Sequence, residues 1–128
     1  MSGKYLQQLE QKLRNWNYTT EITIVREKRL ADIDAGYIRI RARLKNDNLL
    51  EISEYVVASE NDIIRESYSF HWQDSDGKLI YRWDNAPHHP QVATFPHQVH
   101  SQTESNIAAT EIMSLDRVIK RIEQTIIS

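Results

Sequence analysis

Four turn clusters divide residues 20–84 into five segments whose side chains alternate between apolar and polar. Alternation with a period of two residues is typical of strands that bury one face. The last turn, from Asp74 to Gly77, ends in Asp-Gly, which supplies the positive φ of a tight hairpin. Short strands joined by such turns pair with their neighbours, so the pattern predicts a five-stranded antiparallel meander.

Two segments outside this sheet carry apolar residues at helical spacing. The first covers 4–16, with Ser2 as a candidate N-cap, and the second covers 115–127. A loop rich in histidine and proline, residues 85–100, lies between the sheet and the second helix. We therefore expect one α+β domain over residues 1–128, in which helices pack on an antiparallel sheet.

The pairing of the last two strands predicts two faces of different chemistry. One face is aromatic and apolar, with Tyr68, Phe70, Trp72, Leu79, Tyr81 and Trp83. The other is mainly polar, with Ser67, Ser69, His71, Ile80, Arg82 and Asp84. The aromatic face suits either a hydrophobic core or a platform on which bases stack.

The loop 85–100 has an unusual composition. All five histidines of the chain lie between His71 and His100, and all three prolines lie between Pro87 and Pro96. Imidazole is the side chain that titrates nearest to neutral pH, and proline stiffens the backbone. A stiff loop crowded with imidazoles predicts a functional site. The alternative is a polar surface loop whose histidines cap strands.

Two chemistries suit these histidines. In RNA cleavage without a metal, a ribose 2′-hydroxyl attacks the adjacent phosphate while one imidazole acts as base and another as acid. The candidate catalytic residues are His88, His89, His97, His100 and Asp84. In this mechanism the carboxylate of Asp84 orients one of the imidazoles and fixes its tautomer. In metal binding, the same imidazoles and Asp84 would be ligands instead.

Substrate-binding candidates extend beyond the loop. Arg82 would hold a phosphate through two parallel hydrogen bonds. Arg39, Arg41 and Arg43 project from one face of the second predicted strand roughly 7 Å apart, which suits successive phosphates of a single strand. The alternative is a solvated face on which these arginines pair with carboxylates such as Glu51. The full set of candidates is Arg82, His71, Tyr68, Tyr81, Arg39 and Arg41.

Composition excludes several classes of site. The chain has no cysteine, which rules out disulfides and thiolate zinc sites, and only three glycines, too few for a Gly-rich phosphate loop. The net charge of −2 argues against a phosphate footprint along a whole duplex. No apolar run approaches the length of a membrane span. We expect a cytoplasmic protein with no cofactor and no membrane contact.

A specific string, Asp-Asn-Ala-Pro-His-His, occupies residues 84–89, and Phe-Pro-His occupies 95–97. Together with the segments 50–56 and 68–73, these strings resemble the TumE-like family, the small toxin components of prokaryotic toxin–antitoxin modules. The resemblance implies a small intracellular protein that is encoded beside a cognate antitoxin and acts on RNA.

One position departs from the pattern of that family. The family often reads Phe-Pro-His-His-x-His, and Gln98 replaces the second of these histidines. An amide does not exchange a proton as imidazole does, so any acid or base role here falls to His97 or His100.

Four functions stay open, one of them a metal-dependent hydrolase in which the histidines are metal ligands. The leading prediction is a metal-independent ribonuclease of a toxin–antitoxin module. An enzymatic alternative is a ring nuclease that degrades cyclic oligoadenylate in type III CRISPR signalling, for which a symmetric homodimer would enclose the ligand. An alternative of another class is a non-catalytic module that binds nucleic acid or a partner protein.

Overall fold

The computed structural model describes residues 1–127 and packs the helices on one face of an antiparallel sheet. The helices are α1 (Ser2–Asn15) and α2 (Leu115–Ile127). The strands are β1 (Thr19–Leu30), β2 (Ala35–Leu44), β3 (Leu49–Ser59), β4 (Asp62–Gln73), β5 (Leu79–Asp84), β6 (Gln98–Ser101) and β7 (Ile107–Ala109). Within the described residues, these seven strands follow one another across the sheet in chain order, each antiparallel to its neighbours. No helix in this part of the chain is long and apolar enough to span a bilayer.

The α+β class and both helices are confirmed, but the prediction of five strands is wrong. The sheet continues into β6 and β7, so the loop that follows β5 ends at residue 97 rather than at 100. These strands have four and three residues, too few for an alternating pattern to be recognised. Ser2 is a further correction. Met1 holds the N-cap position, and the Ser2 hydroxyl donates to Asp34 at 2.7 Å instead of capping the helix.

The helices cover the aromatic face of the sheet, which is therefore core. Phe70, Trp72 and Trp83 are each at most 4% exposed and cluster with Leu6 of α1 and Val118 of α2. Burying one such side chain stabilises a fold by about 1.5–3 kcal/mol. Within residues 1–127, no helix packs on the opposite face of the sheet, which we call the open face.

A β-bulge in β1 changes which side chains reach the open face. Val25 is an extra residue in the pairing of β1 with β2, and it shifts the two-residue period by one. Beyond it, Arg26 lies opposite Arg39 and Lys28 lies opposite Tyr37. The bulge therefore turns two cations of β1 to the open face.

Two further bulges alter the hairpin of β4 and β5. Glu66 is extra in β4, so Arg65 lies opposite the buried Val56 on the helix side. Ile80 is extra in β5, and it packs against the core while Leu79 lies opposite Gln73. The faces expected for Leu79 and Ile80 are thus exchanged. The rest of the hairpin pairs as predicted, with Ser69 opposite Asp84, Phe70 opposite Trp83, His71 opposite Arg82 and Trp72 opposite Tyr81.

Candidate functional site

A cleft of about 560 Å³ lies on the open face, between β2 and the loop that follows β5. Its floor carries the small side chains Ser53, Ser67 and Ser69 of β3 and β4. Larger side chains line its two sides, Arg39 from β2 and Arg82 from β5. The cleft exists because neighbouring positions of the floor carry only a hydroxymethyl group.

Strand register places the two sides of the cleft on one line across the sheet. Arg39 lies opposite Ser53, Ser53 lies opposite Ser69, and Ser69 lies opposite Asp84. Neighbouring strands are about 4.8 Å apart, so the backbones of Arg39 and Asp84 are about 14 Å apart. The gap between them is open to an anionic ligand.

Arg82 is held in place by three acceptors. Its Nε lies 3.2 Å from Oδ2 of Asp84, its Nη1 2.6 Å from Oε2 of Glu104, and its Nη2 3.3 Å from Nε2 of His100. The side chain is still 28% exposed. A guanidinium fixed in this way is pre-organised for negative charge in the cleft.

Asp84 is the buried centre of this network. Its Oδ1 accepts hydrogen bonds from Nε2 of Gln98 at 2.6 Å and from the backbone N–H of Ala86 at 3.0 Å. Its Oδ2 lies 3.2 Å from both Nε of Arg82 and Nε2 of His100. These hydrogen bonds offset the free-energy cost of burying the carboxylate. Because Asp84 bonds both to Arg82 and to Ala86, it connects the arginine to the start of the loop.

His100 lines the inner side of the cleft but has both ring nitrogens engaged. It is 3% exposed, and its Nδ1 donates to the backbone oxygen of Glu104 at 2.8 Å. Its Nε2 therefore accepts from Arg82 when the ring is neutral and donates to Asp84 when the ring is protonated. This imidazole is positioned to hold Arg82 and Asp84.

His88 and His89 are the imidazoles at the rim of the cleft. His88 is exposed, and the half-buried His89 has its ring centroid 5.8 Å from that of His100. Neither imidazole makes a hydrogen bond within residues 1–127. These two rings are free to exchange protons with a ligand in the cleft.

His97 lies on the helix side of the sheet, away from the cleft. The hydroxyl of Tyr68 and Nδ1 of His97 form a hydrogen bond of 2.8 Å, and the two rings stack. Burial, assisted by the Arg65 guanidinium, lowers the pKa of His97, and burial raises the pKa of Tyr68. The geometry therefore separates His97 from the other candidate catalytic residues.

A buried carboxylate lies in the same region. Glu54 is 1% exposed, and its two oxygens accept from Tyr5 at 2.5 Å and from Arg65 at 3.4 Å. Burial raises the pKa of Glu54 against the opposing effects of Tyr5 and Arg65. The guanidinium of Arg65 also covers the Tyr68 ring at 4.1 Å from its centroid. The cluster links α1 to β3 and β4.

The remaining substrate-binding candidates differ in position. Arg39 lines the cleft and has no carboxylate partner in the described part of the chain. Arg41 pairs with Glu51 at 2.9 Å, as expected if this arginine belongs to a solvated face that pairs with carboxylates. His71 bonds to Gln73, and Tyr81 lies on the helix side with its hydroxyl accepting from Arg121.

Three further residues of the site have roles that the sequence does not indicate. Gln98 replaces a family histidine, and its amide holds Asp84. Glu104 follows β6, which the sequence pattern does not reveal. Asn85 bonds with its side chain to the backbone N–H of Tyr68 and the backbone oxygen of Glu66, which fixes the loop to the bulge in β4. The one signal for Asn85 is its place in the string 84–89.

Metal ligation has little support in this geometry. Among residues 1–127 there is no group of three or more histidine, aspartate or glutamate side chains arranged to hold a metal ion. Of the potential ligands that line the cleft, Asp84 and His100 bind each other and Arg82, whereas the side chains of Glu66, His88 and His89 make no hydrogen bond within residues 1–127.

Comparison with known proteins gives one match. The sequence model of a protein family described as Toxin TumE matches residues 11–128. This confirms the resemblance carried by residues 49–100 and extends it to both sides. No curated protein and no solved structure matches the chain.

Proposed function

The chain belongs to the TumE toxin family, and on that premise we propose that it is the toxin of a toxin–antitoxin module and cleaves RNA in the cleft. The 2′-hydroxyl of a ribose attacks the adjacent phosphorus, and the bond from phosphorus to the 5′-oxygen breaks. A base takes the proton of the 2′-hydroxyl, and an acid gives a proton to the leaving 5′-oxygen. The products are a 2′,3′-cyclic phosphate and a 5′-hydroxyl.

His88 and His89 are assigned as the acid and base pair. They are the imidazoles at the rim whose nitrogens are not bonded to protein in the described residues. Arg82 holds the phosphate and stabilises the charge that develops on its oxygens. The observation that carries this proposal is the fixed, partly exposed guanidinium of Arg82 facing a cleft whose rim carries two unengaged imidazoles.

Asp84, His100 and Gln98 are assigned as positioning residues. They contact Arg82 or the loop and hold them in one orientation. Tyr68 and His97 anchor the other side of the same loop. Their substitution is expected to act through the placement of Arg82, His88 and His89 rather than through loss of a proton donor.

The proposal is tested by incubating a labelled single-stranded RNA with the purified protein, with and without EDTA. We expect cleavage that persists in EDTA and leaves 2′,3′-cyclic phosphate or 3′-phosphate ends. His88→Ala and His89→Ala should each lower kcat by about 10²- to 10⁴-fold, the usual contribution of a general acid or base. Lys120→Ala, on α2 at the helix side, is the matched control with full activity.

Other outcomes identify the competing functions. Loss of cleavage in EDTA contradicts the metal-independent mechanism. Cleavage of cyclic oligoadenylate but not of linear RNA supports a ring nuclease, and light scattering then tests whether the protein is the expected homodimer. Tight RNA binding without cleavage would support a non-catalytic module that binds nucleic acid. Membership of a toxin family implies a cognate antitoxin, whose co-expression is expected to abolish cleavage.

A further inference from the structure

A second cleft adjoins the first on the open face. Its volume is about 480 Å³, and it is lined by Val25, Arg26, Lys28, Tyr37 and Arg39. Tyr37 and Arg39 also line the first cleft, so the two form a continuous depression from β5 to β1. The bulge at Val25 is the reason that the cations of β1 reach this depression, because without it they would face the helix side.

The cations of this second cleft have no acidic partner. Arg26, Lys28 and Arg39 are exposed, and none forms an ion pair within residues 1–127. The flanking carboxylates of β1 and β3 have other partners, since Glu27 binds Arg29 and Glu51 binds Arg41, and the exposed Glu66 lines the first cleft rather than the second. Three exposed cations without counter-charges create a local positive potential on a chain whose net charge is −2.

We propose that this depression binds the sugar–phosphate backbone of single-stranded RNA that extends from the cleavage centre to the edge of the sheet at β1. The row from Asp84 through Ser69, Ser53 and Arg39 to Arg26 follows strand register. Four strand spacings amount to about 19 Å, more than one nucleotide covers. This inference rests on the proposed function, because the proposed function places the scissile phosphate at Arg82.

The chemistry of the depression favours a strand over a duplex or a small ring. Arg26 of β1 and Arg39 of β2 lie opposite each other in the row that runs across the strands to Asp84, and Lys28 lies two residues further along β1. These cations suit a backbone that crosses the sheet and reaches its edge. Tyr37 is half-buried between Arg39 and Lys28 and offers a ring on which a base can stack. A cyclic ligand contained in the first cleft would not reach Arg26 or Lys28.

The test is a binding measurement that does not depend on cleavage. RNA with 2′-O-methyl groups lacks the attacking hydroxyl, so fluorescence anisotropy reports its affinity for the active protein. We expect affinity to rise as the oligonucleotide is lengthened from two to eight residues. Arg26→Ala combined with Lys28→Ala should weaken binding of the longer RNA about tenfold and lower the salt dependence by about 0.7 per lost phosphate contact. Lys120→Ala is the control for a cation removed elsewhere.

The outcomes separate this inference from the proposed function. Equal affinity of the double variant and the wild type for the longer RNA overturns the inference, even if the wild type cleaves RNA. Equal affinity for two and eight residues also overturns it, because a small ligand site would then suffice. Length-dependent binding that is lost in the double variant supports it, even if no cleavage of unmodified RNA is found.

Discussion

At the scale of single residues, Tyr68 holds the loop that carries the rim histidines. Its ring is 4% exposed in the core, while its hydroxyl forms a 2.8 Å hydrogen bond with Nδ1 of His97. The backbone N–H of the same residue bonds to Asn85 at the start of the loop. One residue of β4 therefore fixes both ends of the segment between β5 and β6.

Replacing Tyr68 by phenylalanine tests this anchor. The ring stays in the core, but His97 loses its hydrogen-bond partner, so Tyr68→Phe should lower the free energy of unfolding by about 1–3 kcal/mol. Tyr81→Phe is the matched control, because its hydroxyl accepts from Arg121 at the surface and its loss should cost less than about 0.5 kcal/mol. Urea denaturation of the two variants gives the comparison. An equal effect of both would show that the Tyr68 hydroxyl is not an anchor.

Residue-level reasoning from the sequence identified part of the site. Arg82, His88 and His89 follow from charge and composition near the strongest hairpin. The separation of His97 from His100 does not follow, because it depends on β6. Once Gln98 and His100 face the cleft, the alternation of a strand turns His97 to the other side.

At the scale of elements, the segment between β6 and β7 brings a carboxylate to Arg82, the arginine that we propose to bind the substrate. Glu104 is 57% exposed, and its Oε2 lies 2.6 Å from Nη1 of Arg82. Its backbone oxygen accepts from His100, which keeps the segment close to the cleft. The carboxylate occupies a position that a phosphate oxygen would need.

Glu104→Gln should therefore strengthen anion binding. The neutral amide competes less well for Arg82, while the backbone contact with His100 is kept. We expect the affinity for the 2′-O-methyl RNA to rise about two- to fivefold at low salt, with a smaller difference at high salt because the site is partly exposed. Glu111→Gln removes an exposed carboxylate that pairs with Arg117 at α2 and is the control. Unchanged or weaker binding by Glu104→Gln contradicts the competition.

The elements themselves were predictable where the pattern was long. Five strands and both helices have enough residues for their period to show, and Gly77 adopts φ 82 in the predicted Asp-Gly turn. The strands β6 and β7 were not predictable, because they are short and follow a segment of prolines and turns. The bulges could not be predicted from the sequence either. An extra residue such as Val25 is distinguished by its lack of a partner on the next strand and not by its residue type.

At the scale of the whole molecule, the two layers meet around a buried charge. Glu54 of β3 accepts from Tyr5 of α1, so the carboxylate is enclosed between the helix and the sheet. Its ionisation in the folded protein is opposed by burial and favoured by Arg65 and Tyr5, and burial has the larger effect. The stability of the two-layer packing is thus coupled to pH.

Two variants should show opposite dependences on pH. In the folded protein the pKa of Glu54 is raised above its ordinary value of 4.5. The contribution of Glu54 to the free energy of unfolding is therefore present at lower pH and is lost as the pH rises through the folded pKa. The Tm of Glu54→Gln minus that of the wild type should therefore increase from pH 4 to 8.

Asp34 provides the contrast in the same experiment. Hydrogen bonds from the side chain and backbone of Ser2, with the N-terminal amine, lower the pKa of Asp34 to about 2. Its contribution is present above its ordinary value of 3.8 and is lost as pH falls towards 2, so the Tm of Asp34→Asn minus that of the wild type should decrease as pH rises from 2 to 4. A difference that falls with pH for Glu54→Gln, or one that rises with pH for Asp34→Asn, would contradict the assignment for that residue.

The extra residue Val25 has a consequence for how a binding surface of this kind arises. One residue inserted in an edge strand rotates everything beyond it to the other face of the sheet. A single additional codon thus moves Arg26 and Lys28 from one side of the molecule to the other without altering any charge or the net charge of −2. A binding face can therefore be acquired by insertion rather than by substitution, and its trace in the sequence is spacing rather than residue type.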